Sequence, residues 1–382
     1  MTVTAALAAD REKVMSERLS RLTEAVDLPR TDGLIAVSSG RHSFVAGDPL
    51  WWLTGFKCLG ISVFAVGGDG DATLWVSPRW DAPRAEREAT ADHVVGEVDP
   101  FAGLKAWVTE RSLAGGMFGV CGSDRLSAAE ASALEGALGG WTAIDEAFLQ
   151  AGRATDAVHA ARYSAATDIA EQSFQLLLSM VRPGVAEHEV VAELDGKMRE
   201  LGSDDNFILM SASVHNRAVH RPSDRVLCRG DILLAEISPS VDGVFTQICR
   251  TLTIGSPSSE LIDGYALLAE AFETGLASCI PGTSVSELTR ATNRPLVEAG
   301  LGEYCRPPYM RVRGHGMGLG STWPGDLTET NERTIECGDS FVLHPNQYLP
   351  RVGYLMCGEP IQVTAEGARL MSSSSAPLFS AD

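Results

Sequence analysis

The sequence predicts an α+β protein in which a smaller α/β layer domain precedes a larger C-terminal domain. At 382 residues the chain is long for one hydrophobic core. The order of helix-like and strand-like segments also changes near residue 150. Before that point short apolar runs alternate with helical stretches, which favours a layered α/β domain, and after it pairs of helices alternate with strand hairpins. We therefore predict domains at residues 1–152 and 153–382.

The first part begins with a helix-like segment from Arg11 to Ala25, whose apolar residues recur on one face. Four runs bounded by Gly, Asp or Ser are typical of strands: GLIAV, SFVAG, SVFAVG and ATLWVS. Helical stretches are predicted around residues 101–110 and 127–138. The run LWWLTGFKCLG predicts a buried strand. The alternative is a rim that reaches into a site, with Trp51, Trp52 and Lys57 as its substrate-contacting residues.

The second part opens with a helix pattern from Asp156, a suitable N-cap, to about Val181. A second helix, EHEVVAELDGKMRELG, ends at Gly202. Three strand-like runs follow, NFILMSAS, DILLAEIS and VFTQICRTLTI, with a hairpin-like turn at residues 240–243. Helices at 258–277 and 285–299 then lead to the strands DSFVLHPNQ and IQVTAEGARLM. This order is an internal duplication of ααββ units.

Composition excludes several classes of partner. A formal charge of -19 disfavours nucleic acid and anionic membranes. No apolar run is long enough to span a bilayer, and the first residues, MTVTAALAADREK, do not resemble a signal peptide. The eight cysteines form no CxxC pair. We therefore expect a cytoplasmic protein with reduced thiols that binds neither nucleic acid nor a membrane.

Three histidines and one glutamate are the main candidates for chemistry. His220 lies in a polar loop, His315 lies between glycines, and His344 ends an apolar run. Glu236 lies inside the apolar run ILLAEI, where a carboxylate is rare unless it is paired. Burial would raise its pKa and suit it to acid/base or nucleophilic chemistry. The alternative is a structural ion pair with Arg250 or with a histidine.

Two neighbours of these residues have simpler interpretations. Cys249, in an apolar strand, is more typical of an inert core thiol than of a nucleophile. Glu359 either caps a hairpin or contributes to the site.

Three stretches in this order and spacing resemble the active-site segments of the creatinase/prolidase/methionine aminopeptidase superfamily: GDILLAEISPSVDGVFTQICRT, RGHGMGLG and GEPIQVTAEGARL. Residues 155–375 resemble its pita-bread domain, and the front part resembles its creatinase-type N-terminal domain. The resemblance implies a homodimer in which the N-terminal domain of one subunit lines the partner's site.

Metallopeptidases of this superfamily hold two divalent metals with two Asp, one His and two Glu. The resemblance places these positions at Glu236, Gln247, His315, His344 and Gly358, with Glu359 one residue later. Only His315 is unchanged. A two-cation centre with a single carboxylate is disfavoured, so we expect no metal and no cofactor. A single zinc on His315, His344 and Glu236 is the alternative.

The chain also resembles creatinase and ectoine hydrolase, metal-free members that cleave other C–N bonds. In creatinase a histidine acts as acid/base in the segment that here contains His215 and His220. The motif HRPSDR favours His220. Glu236 resembles the residue of ectoine-hydrolase-like sequences. The carboxylates that bind creatine fall on Cys249 and His344, which makes creatine a poor substrate.

The sequence therefore predicts a metal-independent hydrolase or lyase that cleaves a non-peptide C–N bond of a small, carboxylate-bearing molecule. His220 and Glu236 would transfer protons, or Glu236 would be the nucleophile, while His315 and His344 would bind an anionic group. The expected substrate contacts are Gln247, Cys249, Trp323, Glu359, Trp51, Trp52 and Lys57. Two alternatives stay open: a metal-dependent Xaa-Pro-type aminopeptidase or prolidase with an altered centre, and an inactive member that only binds ligands.

Overall fold

The computed structural model describes residues 11–26, 31–42, 44, 46–153, 155–319, 325–373 and 377–381. The chain has two compact units, one up to Val158 and one from His159 onwards. This division lies six residues after the domain boundary that the sequence predicts at residue 152, and that boundary stays a prediction. In the described part of the chain, no helix combines the length and the apolar character needed to cross a membrane.

The N-terminal unit is built on one mixed sheet. In chain order its elements are α1 (Arg11–Ala25), β1 (Gly33–Ser38), α2 (Pro49–Thr54), β2 (Ser62–Gly67), β3 (Ala72–Val76), α3 (Ala82–Glu88), β4 (His93–Gly96), α4 (Pro100–Glu110), β5 (Phe118–Cys121), α5 (Ala128–Leu138), β6 (Thr142–Ala143) and α6 (Asp145–Gly152). The strands lie in the order β4-β3-β2-β1-β5-β6. Strands β1, β2 and β3 are antiparallel, whereas β3–β4, β1–β5 and β5–β6 are parallel. The predicted α/β layer is confirmed. The run SFVAG falls partly on residues 43 and 45, which lie outside the described residues.

The segment with Trp51 and Trp52 forms helix α2, so the predicted strand is wrong. Asp48 is its N-cap, since the carboxylate accepts a hydrogen bond from the Trp51 amide at 2.9 Å. Pro49 occupies the first turn, and Gly55 ends the helix with φ of 74°. These are helix-capping features. The apolar run concealed them because every residue of this short helix is buried.

The C-terminal unit repeats a pattern of two helices followed by strands. Its elements are α7 (Ala157–Met180), α8 (Glu187–Glu200), β7 (Asp205–Ser213), β8 (Ile232–Val241), β9 (Val244–Phe245), β10 (Ile248–Ile254), α9 (Ser259–Ser278), α10 (Val285–Glu298), β11 (Gly314–Gly316), β12 (Ser340–Leu343), β13 (Gln347–Leu349), β14 (Gly353–Leu355), β15 (Glu359–Thr364), β16 (Gly367–Leu370) and β17 (Phe379–Ala381).

Two main sheets organise this unit. The first has the order β17-β10-β8-β7, with β9 paired to β8, and the second has the order β11-β12-β15-β16. Helices α7 and α8 pack on the first sheet around a buried cluster that includes Phe174, Leu194 and Leu233. Helices α9 and α10 pack on the second around Leu268, Leu288 and Phe341. The predicted ααββ duplication is confirmed.

The turn between β8 and β9 confirms the predicted hairpin. Asp242 and Gly243 have φ of 45° and 79°, the positive values that tight hairpin turns require. The run VFTQICRTLTI is interrupted at Thr246 and Gln247, which separate β9 from β10. As a result Gln247 lies at the start of β10, close to the point where the two sheets meet.

Candidate active site

The two main sheets of the C-terminal unit meet through a backbone bridge between Cys249 and Gly358. The Cys249 amide donates to the Gly358 carbonyl at 3.0 Å, and the Gly358 amide donates to the Cys249 carbonyl at 3.2 Å. Glu236 lies opposite Cys249 in the β8–β10 pair. A Cβ at Gly358 would lie 2.5 Å from the Cβ of His344. Segments that are far apart in sequence therefore place Glu236, Gly358 and His344 around one bridge.

His315 and His344 face each other next to this bridge. Their ring centroids are 5.5 Å apart, with an interplanar angle of 67°. His315 lies in β11, where Gly314 has φ of 145° and a Cβ would clash with the carbonyl of Val342. Only glycine allows β11 to approach β12 this closely. The His344 amide donates to the carbonyl of Arg313 at 2.9 Å, which fixes the end of β12 against the same strand.

Hydrogen bonding and burial determine the protonation of the two imidazoles. His315 Nδ1 lies 3.1 Å from the Gly316 carbonyl. Because that oxygen only accepts, Nδ1 carries the proton and Nε2 keeps a lone pair. In the described structure His344 Nδ1 is buried without a hydrogen-bond partner. Burial lowers the pKa of both rings, and for His344 burial together with neighbouring His315 lowers it to about 3. Both rings are therefore neutral at neutral pH, which is the form in which an imidazole binds a metal.

Glu236 is a carboxyl that can exchange a proton near neutrality. Burial raises its pKa to about 7, and the positive charge of Arg311 opposes this shift. The alternative of an ion pair with Arg250 is wrong, because that guanidinium binds Glu359 instead, at 2.8 Å. Proton transfer at neutral pH is the chemistry that such a carboxyl supports best.

Gln247 and Cys249 occupy neighbouring positions with different properties. Gln247 Nε2 donates to Cys249 Sγ at 3.4 Å, while Gln247 Oε1 is buried and has no hydrogen-bond partner in the described part of the chain. The Cys249 thiol is fully buried. Burial, with Glu236 adding to it, raises the thiol pKa well above its ordinary value. Cys249 therefore packs as an inert thiol, and its burial argues against the predicted substrate contact.

The surroundings of Glu359 argue against the predicted substrate contact. Its side chain is fully buried, and Arg250 binds both carboxylate oxygens, at 2.8 and 3.1 Å. Arg250 also donates to the Gly358 carbonyl at 3.0 Å and lies over the ring of Phe174. The acid is thus neutralised by a buried structural partner, which disfavours its use as a ligand.

Arg313 is a structural residue of the site that the sequence did not reveal. It is fully buried and donates to Asn293 Oδ1 at 2.6 Å, to the Asn346 carbonyl at 2.8 Å and to Gln347 Oε1 at 2.8 Å. These bonds hold the segment that follows His344. The sequence signal that could have identified it is the motif RGHG, in which Arg313 directly precedes β11.

The two histidines considered for acid/base chemistry have different surroundings. His220 is exposed, and its carbonyl accepts a hydrogen bond from the Met210 amide at 2.9 Å. His215 Nε2 lies 3.1 Å from the hydroxyl of Tyr348, and the two rings are in edge contact. Among the described residues the His220 ring makes no hydrogen bond or ring contact with His315 or His344, so its catalytic role stays a prediction.

The remaining predicted contacts lie elsewhere or are not described. Trp323 lies outside the described residues. In the N-terminal unit, Trp52 is buried and packs against Phe148 and Arg18. Its contacts are those of a core residue, and its assignment to a substrate rim stays a prediction. Lys57 lies over the ring of Trp51, 4.8 Å from the centroid, and the role of these two residues at a rim stays a prediction.

The residue types at these positions disfavour two cations and are compatible with one. Two-cation centres rely on several carboxylates, but Gln247 is neutral, and a Cβ at Gly358 would lie 2.5 Å from that of His344. Two imidazoles bound to one Zn²⁺ have ring centroids roughly 5–6 Å apart, and those of His315 and His344 are 5.5 Å apart. Gln247 Oε1 can add a neutral oxygen donor.

Glu236 is not a third ligand in this geometry. Within the described residues, three ligating groups with atoms less than 4.8 Å apart occur at His42, Asp48 and Cys58. The set of Glu236, His315 and His344 does not meet that spacing. The spacing therefore does not support Glu236 as the carboxylate of the predicted zinc alternative, which stays a prediction.

Comparisons with known proteins place these residues in a family context. Residues 161–370 match metallopeptidase family M24. The uncharacterized peptidase YqhT of Bacillus subtilis is 26% identical over 212 residues, which cover 55% of this chain and 59% of that protein. The Xaa-Pro dipeptidase of Pyrococcus furiosus is 25% identical over 218 residues, covering 56% and 61%. The chain thus matches about three fifths of the length of these curated relatives.

The similarity of structure extends further along the chain. The Xaa-Pro dipeptidase from Bacillus anthracis has a TM-score of 0.84 at 23% identity, covering 96% of this chain and 99% of that one. At this identity the similarity shows the fold alone. It confirms the predicted pita-bread fold with its creatinase-type N-terminal domain.

These matches overturn the predicted activity. The expectation of a metal-independent hydrolase or lyase for a non-peptide C–N bond is wrong, because the matched family is a metallopeptidase family and the related proteins are peptidases. The few carboxylates at these positions disfavour two cations but leave open a single one, and the neutral imidazoles and the buried amide oxygen of Gln247 are donor types that a single cation accepts.

Proposed function

Because the chain belongs to metallopeptidase family M24, we propose that it is a peptidase that hydrolyses short peptides at a centre with one divalent cation. One observation carries the proposal: the facing neutral imidazoles of His315 and His344, 5.5 Å apart between centroids, in a chain of this family. Borderline cations such as Zn²⁺ suit nitrogen donors of this kind.

His315, His344 and Gln247 would hold the cation. A cation bound there would polarise a peptide carbonyl and lower the pKa of a bound water. The hydrogen bond from His315 Nδ1 to Gly316 orients the ring and directs Nε2 to the ligand side. Arg313 holds the segment after His344 through the Asn346 carbonyl, so the second ring is also fixed.

Glu236 would carry the proton. With a pKa of about 7 its carboxyl is partly ionised at neutral pH, so it can accept a proton from water and return it to the departing amine. The same group was predicted to transfer protons in a metal-free reaction, and that role is retained in the peptidase proposal.

The substrate class follows from the relatives. The Pyrococcus furiosus protein is called an Xaa-Pro dipeptidase, and an Xaa-Pro dipeptide is therefore the substrate that we propose for this chain. A homodimer, with the N-terminal domain of one subunit lining the partner's site, and a cytoplasmic location are parts of the same proposal.

Hydrolysis of Gly-Pro by the full-length protein tests the proposal. The protein is freed of metal with EDTA, supplied with Zn²⁺, Co²⁺ or Mn²⁺, and assayed for released proline. We expect turnover that needs the cation and that falls by roughly 10²-fold or more in His315→Ala. His188→Ala is the matched control, since this exposed histidine binds only the Ser223 carbonyl in the described structure.

Two results would contradict the proposal. One is equal turnover by wild type and His315→Ala. The other is an absence of Xaa-Pro hydrolysis with all three cations, together with a thermal shift by the peptide that leaves it intact. That second result would instead favour the alternative that this protein is an inactive member of the fold that only binds ligands.

A further inference from the structure

A group of ligating side chains in the N-terminal unit has no role in the proposed peptidase reaction. It consists of His42, Asp48 and Cys58, with the ligand atoms of all three within 4.8 Å of one another. Asp48 and Cys58 are buried and His42 is largely buried. A cluster of imidazole, carboxylate and thiol is unusual in an apolar environment unless the groups satisfy one another.

The backbone brings these residues together from two loops. Ser38 ends β1, and the following turn contains Gly40, whose φ is 72°. A Cβ at Gly40 would lie 2.8 Å from the backbone of Gly60, so only glycine allows this turn to approach the loop that carries Cys58. Asp48 is held independently, as the N-cap of α2.

Most of the polar atoms form a chain of hydrogen bonds. The Cys58 thiol donates to Ser38 Oγ at 3.1 Å, and the Ser38 hydroxyl donates to Asp48 Oδ2 at 2.5 Å. The other oxygen of Asp48 accepts from the Trp51 amide at 2.9 Å. The carboxylate therefore does not depend on His42 for its hydrogen bonds.

One ring nitrogen of His42 takes no part in these hydrogen bonds. Its Nε2 lies 2.9 Å from the Cys58 carbonyl, and since a carbonyl only accepts, Nε2 carries the proton. In the neutral ring Nδ1 then presents a lone pair. It lies 3.4 Å from Asp48 Oδ2, is buried, and makes no hydrogen bond within the described residues. Two acceptors facing each other at this distance repel unless a proton on Nδ1 or a metal cation lies between them.

We propose that His42 Nδ1, Asp48 Oδ2 and Cys58 Sγ bind one Zn²⁺ ion. The hydrogen bond from His Nε2–H to a carbonyl is the arrangement that orients a metal-bound imidazole. Nitrogen, oxygen and sulfur donors are those zinc takes in proteins. Bond lengths of about 2.0–2.3 Å require the ligand atoms to close by roughly 1 Å. Binding displaces the proton of the Cys58 thiol to solvent. The bound ion then has one carboxylate and one thiolate, so the buried group is neutral overall.

Such an ion would fix the start of helix α2. Asp48 would then link the ion with the cap of the helix that contains Trp52, a core residue of this unit. The site is independent of the peptidase centre, since it shares no residue with it. It would therefore act by stabilising the fold around α2 and not by catalysis.

Metal content of the full-length protein tests the inference. All measurements use the His315→Ala variant, which lacks a ligand of the proposed peptidase centre. Any zinc that this variant retains is therefore expected at His42, Asp48 and Cys58. We expect about one zinc per chain after dialysis against Zn²⁺ and then metal-free buffer. We expect none in His315→Ala combined with His42→Ala or with Cys58→Ser. Cys121→Ser is the matched control, because this buried cysteine of the same unit is not one of the three ligands.

Cobalt supplies a second readout that identifies the sulfur ligand. A Co²⁺–thiolate charge-transfer band should appear in the same His315→Ala variant, persist in Cys121→Ser and Cys249→Ser, and disappear in Cys58→Ser. Zinc should raise the midpoint of thermal unfolding by at least about 3 °C in His315→Ala and not in His315→Ala combined with His42→Ala.

Should a ligand variant fail to fold, Asp48→Asn keeps a capping oxygen for Trp51 and removes the charge, and it is expected to lose the zinc ion. The inference is overturned if the folded His315→Ala protein holds no zinc and shows no cobalt band. In that case the cluster is a hydrogen-bond network only. Loss of peptidase activity is not a readout here, so failure of this inference leaves the proposed function intact.

Discussion

Replacing Glu236 with Gln removes a carboxyl whose pKa differs between the folded and unfolded protein. Burial raises the folded pKa to about 7 from 4.5. Between these values the folded protein binds more protons than the unfolded one, so stability from this group is complete below pH 4.5 and is lost as pH rises through 7. A shift of 2.5 units at 1.36 kcal/mol each sets an upper value of about 3 kcal/mol. Partial contact with solvent reduces it.

The expected result follows from the neutrality of glutamine. Metal-free Glu236→Gln should match wild type near pH 4.5 and exceed it in free energy of unfolding by up to about 3 kcal/mol at pH 8. Guanidinium unfolding of both proteins in EDTA, at several pH values from 4.5 to 8, measures the two free energies of unfolding. The contributions of the other titrating groups are the same in both proteins and cancel in the difference. A difference between the two proteins that does not change with pH would refute the assignment of a raised pKa to Glu236.

Three further predictions concern the neighbours of this carboxyl. Glu359→Gln leaves Arg250 buried with a neutral partner and should cost about 3–5 kcal/mol in denaturant unfolding; a loss below 1 kcal/mol would show that the pair is not desolvated. Gly358→Ala places a Cβ 2.5 Å from that of His344 and 3.1 Å from that of Cys249. It should cost about 1–3 kcal/mol and lower kcat/KM for Gly-Pro, and an unchanged enzyme would contradict the packing. In metal-free protein the His344 pKa of about 3, below the ordinary 6.5, should reduce stability by up to about 1.4 kcal/mol per pH unit as pH falls from 6.5 towards 4. His344→Asn should remove that slope, and an equal slope in both proteins would show that His344 is accessible to protons.

The fold of the C-terminal unit was predictable because its helices and strands repeat with clear apolar periodicity. The ααββ order and the Asp242-Gly243 turn appeared in the sequence as they do in the structure. Helix α2 was not predictable in the same way. Its six residues are all buried, so periodicity could not distinguish it from a strand, and only the capping residues indicated a helix.

The sequence indicated candidate residues for the site, whose roles stay predictions, but not their pairings. The sequence brought Glu236, His315 and His344 together as candidates. It did not show that Arg250 neutralises Glu359, because ion pairs between strands of different sheets have no local signature. The neutral imidazoles depend on burial and on each other, which a count of missing carboxylates does not reveal. That count led to the incorrect preference for a metal-independent reaction over the metal-dependent peptidase alternative.

The most direct test of the central claim is a zinc titration of the metal-free His42→Ala protein, followed by the rate of Gly-Pro hydrolysis. With the N-terminal ligand group removed, we expect the rate to rise linearly and to reach its plateau at one equivalent of Zn²⁺ per chain. A plateau at two equivalents, or no hydrolysis at any zinc level, would contradict a peptidase centre that holds one cation between His315 and His344.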